Sequence, residues 1–416
     1  LSITATSNAL LTAAGSGITV NDGTLSIATQ YGLGGSSFTA GSTVTLNTGT
    51  YNNAISNVFV QNLVTVTNNG TLSASVGSTA IGAVTVGGAG ATALAVQGGQ
   101  TNTIFGALTM GGAGAATIFT TNQLNVLGTF SGASTSVTKV GVANLLLGGA
   151  STYAGNIIIE QGQLESRIGS ITPANEQITS AGTITVNAGA ALRVLSAANI
   201  GGTVTTINSS DDGIGAFGLG YNGAVPGTVS FASSSALVDG TLAIDVVGFS
   251  TGINLGALGP NNRVFLGSTS SGSYTATTLG AGAGNAYRLG TGGNTLQINS
   301  PVLTGANSAI IGLVSGTPGA NLIGNGGTVV LNSPNTYTLG TTINGNATVQ
   351  LGNAGALGSG TISFNSGTLQ GNQTALGAAA ATVALLQPFN IANNISFSGS
   401  GVLSALAGAG NTIGAF

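Results

Sequence analysis

The sequence predicts an all-β protein in which many short strands stack as a solenoid, and three observations lead to this fold class. Apolar and polar residues alternate over short runs, such as Thr328 to Leu331 and Thr348 to Leu351, as they do in strands with one buried face. Turn-forming Gly, Asn, Ser and Pro separate these runs at intervals of about eight to twelve residues. Strong strand patterns recur at very roughly 20-residue intervals, at Val44, Val64, Val84, Leu124 and Leu145, which suits one coil of a solenoid.

The predicted strands follow the chain nearly from end to end. In the N-terminal part they are Ile18 to Val20, Thr24 to Ile27, Thr43 to Leu46, Val58 to Val60, Val64 to Val66, Thr71 to Ser73, Ala83 to Val86, Ala93 to Val96, Ala107 to Met110, Thr117 to Phe119 and Leu124 to Leu127. Later strands are predicted at Thr183 to Val186, Ala191 to Leu195, Thr341 to Ile343, Thr361 to Phe364, Ile391 to Phe397 and Val402 to Leu406. Asp22-Gly23 and Asn69-Gly70 predict tight turns. The only segment that suggests a short helix is AAAATVALLQ, at residues 378–387.

This pattern divides the chain into three sections. Residues 1–208 and 301–416 read as β-solenoid, and the second of these ends in further strands. Residues 209–300 fit the pattern least well, so we predict an irregular or elaborated β region there. Tandem β-sandwich domains remain the alternative architecture, because short strands and turns alone do not distinguish them from a solenoid. A continuous stack of strands along one axis would exclude the sandwiches.

The scarcity of charge is the most informative feature of the composition. Only 3% of the residues are charged, against about 25% in ordinary soluble domains. Glycine has no three-residue period, which excludes collagen, and the chain is too rich in Val, Ile and Leu for disorder. Polar residues interrupt every apolar run before it reaches the length of a membrane-spanning helix. Neutral surfaces of this kind approach copies of themselves without like-charge repulsion.

Composition also bounds the partners and the compartment. The absence of cysteine excludes disulfides and thiolate metal sites. The net charge of −3 leaves no basic patch for nucleic acid. Because Leu1 is not an initiator methionine, we interpret the chain as a mature product or a fragment of a longer protein.

A repeated sequence pattern occurs twice, within Lys139 to Ser166 and within Gly326 to Leu369. Each copy has a tyrosine after Ser-Thr or Asn-Thr, an isoleucine six residues later, a turn glycine and a further apolar position. The corresponding residues are Tyr153, Ile159, Gly162 and Leu164 in the first copy and Tyr337, Ile343, Gly345 and Val349 in the second. The pattern resembles the passenger-associated β-strand repeat of bacterial autotransporter proteins. This resemblance implies a right-handed parallel β-helix on the cell exterior.

Few residues could carry chemistry. Without histidine, no Ser-His-Asp or Cys-His site can form, and a Ser/Lys dyad would need Lys139, which we expect to lie on a turn. Asp211 and Asp212 form a weak candidate Ca²⁺ site, but a solvated turn is the interpretation that we favour. We therefore predict no metal and no cofactor.

Polysaccharide chemistry is the remaining enzymatic possibility in a β-helix. Clustered acidic and basic residues would be needed, and the only such set comprises Asp239, Asp245, Arg263 and Arg288. Tryptophan platforms for sugars are absent, so we favour surface charge pairs. The rings of Tyr153 and Tyr337 could stack on sugar, but the interpretation that each caps a coil at a turn is simpler.

We therefore expect an extracellular or cell-surface protein that is not an enzyme. Our first hypothesis is a structural subunit of a bacterial fibre, sheath or surface layer, whose main partners are copies of itself. The alternative is an autotransporter-like adhesin displayed on the cell surface, with surface glycans or other cells as partners.

Overall fold

The protein is an all-β solenoid of about 12 turns, with 51% of its residues in strands and 2% in helices. The computed structural model describes residues 2–3, 17–27, 43–53, 58–74, 79–87, 92–166, 178, 182–211, 213–314, 326–345, 347–371, 395–397 and 402–405. Every ladder between the strands described here is parallel, and each strand pairs with its equivalent one coil away, as in Val44 with Val64. This confirms the predicted parallel solenoid and excludes tandem β-sandwiches, whose sheets are antiparallel. The predicted right-handedness and the predicted division into three sections remain predictions.

The chain forms two compact units. Unit 1 comprises residues 1–186 and 192–205, and unit 2 comprises residues 187–191 and 206–416. The strands of unit 1 are β1 Ser2–Ile3, β2 Gly17–Val20, β3 Thr24–Ile27, β4 Thr43–Leu46, β5 Thr50–Asn53, β6 Val58–Val66, β7 Asn69–Ala74, β8 Thr79–Val86, β9 Thr92–Gly98, β10 Asn102–Ile104, β11 Leu108–Met110, β12 Ala115–Thr120, β13 Leu124–Val126, β14 Phe130–Gly132, β15 Ser136–Val140, β16 Leu145–Leu147, β17 Asn156–Ile159, β18 Gly162–Ser166 and β19 Ile184–Val186.

Two strands, β20 Ala190–Val194 and β21 Thr205–Ser209, contain residues of both units. The strands of unit 2 are β22 Ala216–Leu219, β23 Val229–Ser233, β24 Gly240–Ile244, β25 Ile253–Asn254, β26 Val264–Gly267, β27 Gly272–Tyr274, β28 Leu279–Gly280, β29 Ala286–Leu289, β30 Thr295–Ile298, β31 Ser308–Ile311, β32 Gly327–Leu331, β33 Thr341–Asn344, β34 Ala347–Leu351, β35 Ile362–Asn365, β36 Thr368–Gly371, β37 Ile395–Phe397 and β38 Val402–Ala405. Short 3₁₀ turns occur at Ala197–Asn199 and Leu255–Ala257. None of the described helical turns has the length and hydrophobicity needed to cross a bilayer.

Each coil of unit 1 contributes strands to three faces. On the first face, β10, β13, β16 and β18 pair in sequence. The strands that pair in sequence on the second face are β2, β4, β6, β8, β11 and β14. Those on the third face are β3, β5, β7, β9, β12, β15, β17 and β19. Strand β8 is long enough to pair with β10 through its first half and with β11 through its second half. The coil therefore turns its first corner within a continuous strand.

Alternation within these strands places stacked apolar residues inside the coils. Buried files run through Val44, Val64, Val84, Leu108 and Phe130, through Ile81, Ile104, Val126 and Leu147, and through Leu25, Tyr51, Leu72 and Val96. Because strands of adjacent coils lie about 4.8 Å apart, each apolar side chain contacts its equivalents above and below. This burial stabilises the stack by roughly 25 cal/mol per Å² of apolar surface removed from water.

Unit 2 has the same inner files and an additional apolar layer outside them. The inner file of its longest sheet contains Phe217, Leu242, Leu266, Leu289, Ile311, Ile343 and Phe364. Phe265 alternates with Leu266 and therefore lies on the outer side of β26, where it packs with Ile214, Val238 and Leu313. Strands β22, β24 and β26 are consequently buried on both faces. This outer layer explains why β22, β24 and β26 lack the alternation of a strand with one exposed face.

The strands predicted from sequence are present in the described regions, with three differences. Asn69-Gly70 does not form the predicted turn, because the bend lies at residues 67–68 and Asn69 begins β7. The coil length varies, since Leu145 stacks on Leu164 whereas Ile362 stacks on Ile395. Strands β1, β5, β10, β14, β15, β21 and β31 and all strands of residues 213–300 were not predicted. The predicted helix at 378–387 lies outside the described residues.

Candidate functional site

The two repeat tyrosines lie inside the coils, at the turns that precede β17 and β33. Tyr153 and Tyr337 are both fully buried. The Tyr153 hydroxyl donates to the carbonyl oxygen of Ser134 at 3.0 Å, and its ring packs against Phe130 with a centroid distance of 5.1 Å. Burial raises the pKa of Tyr153. The ring is therefore inaccessible to a sugar, and its position agrees with the interpretation that it caps a coil.

Tyr337 occupies the equivalent position in the second copy with different partners. Its hydroxyl lies 2.5 Å from the hydroxyl of Thr341, and burial raises its pKa to about 12. Two residues earlier, Asn335 accepts a hydrogen bond from the Leu303 amide and donates to the Ala356 carbonyl at 2.8 Å. Asn335 thus links three consecutive coils. From the repeated sequence pattern, Asn335 was recognisable only as a residue of the turn before Tyr337.

The remaining repeat residues are core and corner positions. Ile159 and Ile343 stand in the inner files of their units, and Leu164 and Val349 are buried in the following strands β18 and β34. Gly162 and Gly345 form the corners. Their φ angles are 67° and 54°, a left-handed conformation that is unfavourable for residues with a Cβ atom. The repeat therefore specifies a coil corner and its core residues.

The Gly162 corner leads to a stability prediction. A Cβ at this position would lie 2.5 Å from the Gly141 carbonyl oxygen and 2.9 Å from Nζ of Lys139. We expect Gly162→Ala to lower the free energy of unfolding by about 2–3 kcal/mol, because backbone strain and steric overlap add. Urea denaturation of the variant measures this loss. Gly23→Ala is the matched control, because Gly23 has a φ of 85° with open space around it and should lose only about 1 kcal/mol. Equal losses in both variants would contradict the steric part of the prediction.

Lys139 lies in the core of unit 1, which corrects the expectation that it lies on a turn. It belongs to β15 and stands in an inner file between Ile118 and Ile159, with 1% of its surface exposed. Its ammonium donates to three backbone carbonyl oxygens, those of Val140 at 3.2 Å, Gly141 at 2.6 Å and Gln161 at 2.9 Å. Sequence reasoning failed here because a lone lysine is ordinarily solvated, whereas this one has all three donors satisfied by a corner of the chain.

The environment of Lys139 shifts its ionisation. Desolvation lowers the pKa of Lys139 to about 7, because burial penalises the charged ammonium. The partners of Nζ are backbone carbonyl oxygens and not the serine hydroxyl that a dyad would need. The arrangement therefore holds two coils together at a corner, and it does not have the geometry of the Ser/Lys dyad.

Asp239 and Asp245, two members of the acid–base set, flank β24. Asp239 is fully buried and accepts hydrogen bonds from the amides of Asn261 and Arg263 at 2.8 and 2.9 Å, and from the Asn261 side chain at 2.9 Å. Asp245 accepts four hydrogen bonds, from the amides of Thr269 and Ser270 and the hydroxyls of Ser268 and Thr269, at 2.5–3.0 Å. Each carboxylate thus holds a turn of the next coil at one end of β26.

The distance between these two carboxylates argues against paired acid catalysis by them. Asp245 follows Asp239 by six residue steps along extended backbone, which places their Cα atoms about 20 Å apart. Glycoside hydrolysis needs carboxyl groups about 5–9.5 Å apart. The two residues are also not the surface charge pairs that we expected, because both are buried and satisfied by backbone and hydroxyl donors.

The arginines of the set lie beside Asp239. Arg288 is partly buried and donates to the Ala283 carbonyl oxygen at 2.8 Å. Desolvation lowers the pKa of Arg288, the positive charge of Arg263 lowers it further, and the carboxylate of Asp239 opposes both effects. The structure therefore groups Asp239, Arg263 and Arg288 and leaves Asp245 at the other end of the strand.

The candidate Ca²⁺ site is only partly visible. Asp211 is exposed, and Asp212 lies outside the described residues. Among the residues that the structure describes, no three His, Cys, Asp or Glu side chains cluster in a way that could hold a metal ion. The site thus stays a prediction.

The charged side chains as a group are withdrawn from the surface. Lys139, Glu165, Asp239 and Asp245 are buried. Glu165 pairs with Arg193 at 3.1 Å, and both side chains are largely covered. Of the ten charged residues in the described part of the chain, only Asp22 and Asp211 are exposed. The outer surface therefore carries even less charge than the composition implies.

Polar hydroxyls take the place of charge on the second face of unit 1. Parallel pairing aligns one outward residue from each of six successive strands, and we call this file the hydroxyl ladder: Thr19, Thr45, Thr65, Thr85, Thr109 and Ser131. Alternation within a single run predicts that each of these residues faces outward, but only the register shows that they align.

No protein-family model, no curated protein and no solved structure matches this chain.

Proposed function

We propose that this protein is a structural protein of the bacterial exterior whose copies assemble into a fibre, a sheath or a surface layer. The observation that carries the proposal is the withdrawal of charge: only two of the ten described charged residues are exposed. Net charge and surface charges ordinarily keep soluble proteins apart. Of the other eight described charged residues, four are buried and four are partly covered. A protein that fully exposes so few charges and presents hydroxyls and amides is suited to close contact with identical neighbours.

The contacts inside the solenoid agree with a structural role. Apolar files, buried aspartates and the Lys139 corner each connect one coil to the next, so that cohesion repeats along the stack. The buried residues Lys139, Asp239 and Asp245 hydrogen-bond to groups of their own and neighbouring coils, and Glu165 pairs with Arg193. The sequence resemblance to the autotransporter passenger repeat agrees with an extracellular location, and the absence of cysteine is compatible with it because the stacked core supplies the stability.

The proposal is tested by measuring self-association of the purified chain. We expect the mass from static light scattering and sedimentation to increase with protein concentration. We also expect the association to persist in high salt, because neutral contacts are not screened. A chain that stays monomeric at every concentration and salt condition would refute the proposal. If that monomer instead binds cells or surface glycans, the adhesin hypothesis replaces it.

A further inference from the structure

The hydroxyl ladder forms a regular array on the second face of unit 1. Its members alternate along their strands with buried core residues such as Val64 and Val84, which fixes the orientation of the hydroxyls away from the core. Successive strands are spaced by about 4.8 Å, so six hydroxyls extend over about 24 Å. Thr109 and Ser131 are within 3.2 Å of each other through their side-chain oxygens.

The chemistry of this face is self-complementary. A hydroxyl both donates and accepts a hydrogen bond, so that a ladder of hydroxyls can pair with an identical ladder. Two copies have the same coil spacing, which keeps the hydroxyls matched along the entire contact. The sequence has no charged residue between Asp22 and Lys139, so no like charges oppose the approach. Along the neighbouring corner, Phe105 and Leu127 are 48% and 47% exposed and add apolar area.

We infer that the hydroxyl ladder is the lateral contact face through which two copies of this chain meet, an inference that rests on the proposed function. The two ladders run antiparallel about a two-fold axis near Thr65 and Thr85, because an isologous contact places residues near the axis against their own copies. A second copy of this chain has the coil spacing of this face, so its hydroxyls stay aligned with the ladder from one coil to the next.

The size of the face determines how the contact works. Strands of four residues are about 13 Å wide, and six coils are about 29 Å tall, which gives roughly 400 Å² per copy and 800 Å² in total. A stable pair of proteins usually buries more than about 1,000 Å². The face by itself therefore supports a weak lateral contact that becomes effective when many copies are joined in one assembly.

Single cysteines provide the test, since the natural chain has none. Thr65→Cys and Thr85→Cys place a thiol near the proposed axis, and Thr117→Cys places one on the outer side of β12 in the third face. We expect mild oxidation or a short bismaleimide to give at least ten-fold more covalent dimer from the first two variants than from Thr117→Cys. Circular dichroism and thermal melting confirm that all three variants fold alike.

The outcomes separate the contact face from the proposed function. Light scattering of the unmodified chain reports association independently of the cysteines. If that chain associates but all three variants cross-link equally, or only Thr117→Cys does, the ladder is not the contact face and the proposed function stands. If it does not associate at all, both the function and the contact face are refuted. Binding of the ladder face to an insoluble polysaccharide, with no cross-linked dimer, would also overturn the inference.

Discussion

Replacing Asp245 by alanine is expected to lower the free energy of unfolding by about 3–4 kcal/mol, because it leaves several buried donors without an acceptor. The carboxylate accepts four hydrogen bonds from the turn that follows β26, and the Ser268 hydroxyl among these donors belongs to a fully buried residue. Asp245→Asn should lose less, since its amide oxygen can still accept while its NH₂ group opposes the donors. Urea denaturation measures both losses.

The position of the effect is as informative as its size. Each coil of a solenoid contacts only its neighbours, so hydrogen exchange should accelerate in β24 and β26 before it does in β33 and β35. Asp211→Ala is the control, because Asp211 is exposed and its removal should change stability by less than about 0.5 kcal/mol. If Asp245→Ala were no more destabilising than this control, the turn would be held by its backbone alone.

The second large effect is a rise in stability with pH that depends on Lys139. Its pKa in the folded protein is lowered to about 7, whereas a lysine in an unfolded chain keeps its ordinary value of about 10.4. Between these two values the unfolded state binds more protons than the folded state, so the free energy of unfolding rises with pH. Between pH 7 and pH 9.5 the gain amounts to at most about 3 kcal/mol.

The composition allows the contribution of Lys139 to the pH dependence of stability to be measured separately. The chain has no histidine and no cysteine, so Lys139 is the side chain expected to titrate in this range. In Lys139→Met the apolar file from Ile118 to Ile159 is continuous, and stability should be nearly independent of pH from 7 to 9.5. Denaturation of both proteins at pH 6, 8 and 9.5 tests the difference. A parallel pH profile in the two proteins would mean that the three carbonyl oxygens keep Lys139 charged throughout.

The strands were predictable because their signals are local. A run such as Thr43 to Leu46 contains its own alternation, and that alternation decides which side chains point inward wherever the run is placed. The repeat residues Tyr153 and Tyr337 were likewise recognisable by their spacing from Ile159 and Ile343. Predictions that depend on contacts with the neighbouring coil were less accurate, such as the turn assigned to Asn69-Gly70.

Strands β22, β24 and β26, within residues 213–300, were missed for the same reason. β24 and β26 are buried on both faces, so their sequences lack alternation and give no strand signal of period two. The partner surface that buries the outer side of Phe265 comes from Ile214, Val238 and Leu313, which are distant in sequence. No pattern within β26 could have indicated it.

The sequence by itself determined the class of the protein: a stack of short strands with very few charged residues and with turns at glycine and asparagine. Only the tertiary structure decided the environment of each charge, placing Lys139 within a file of isoleucines and an aspartate at each end of β24. It also decided that six hydroxyls form one ladder. The physical reason is that alternation depends on neighbours along the chain, whereas desolvation and alignment depend on neighbours one coil away, 19 to 33 residues distant.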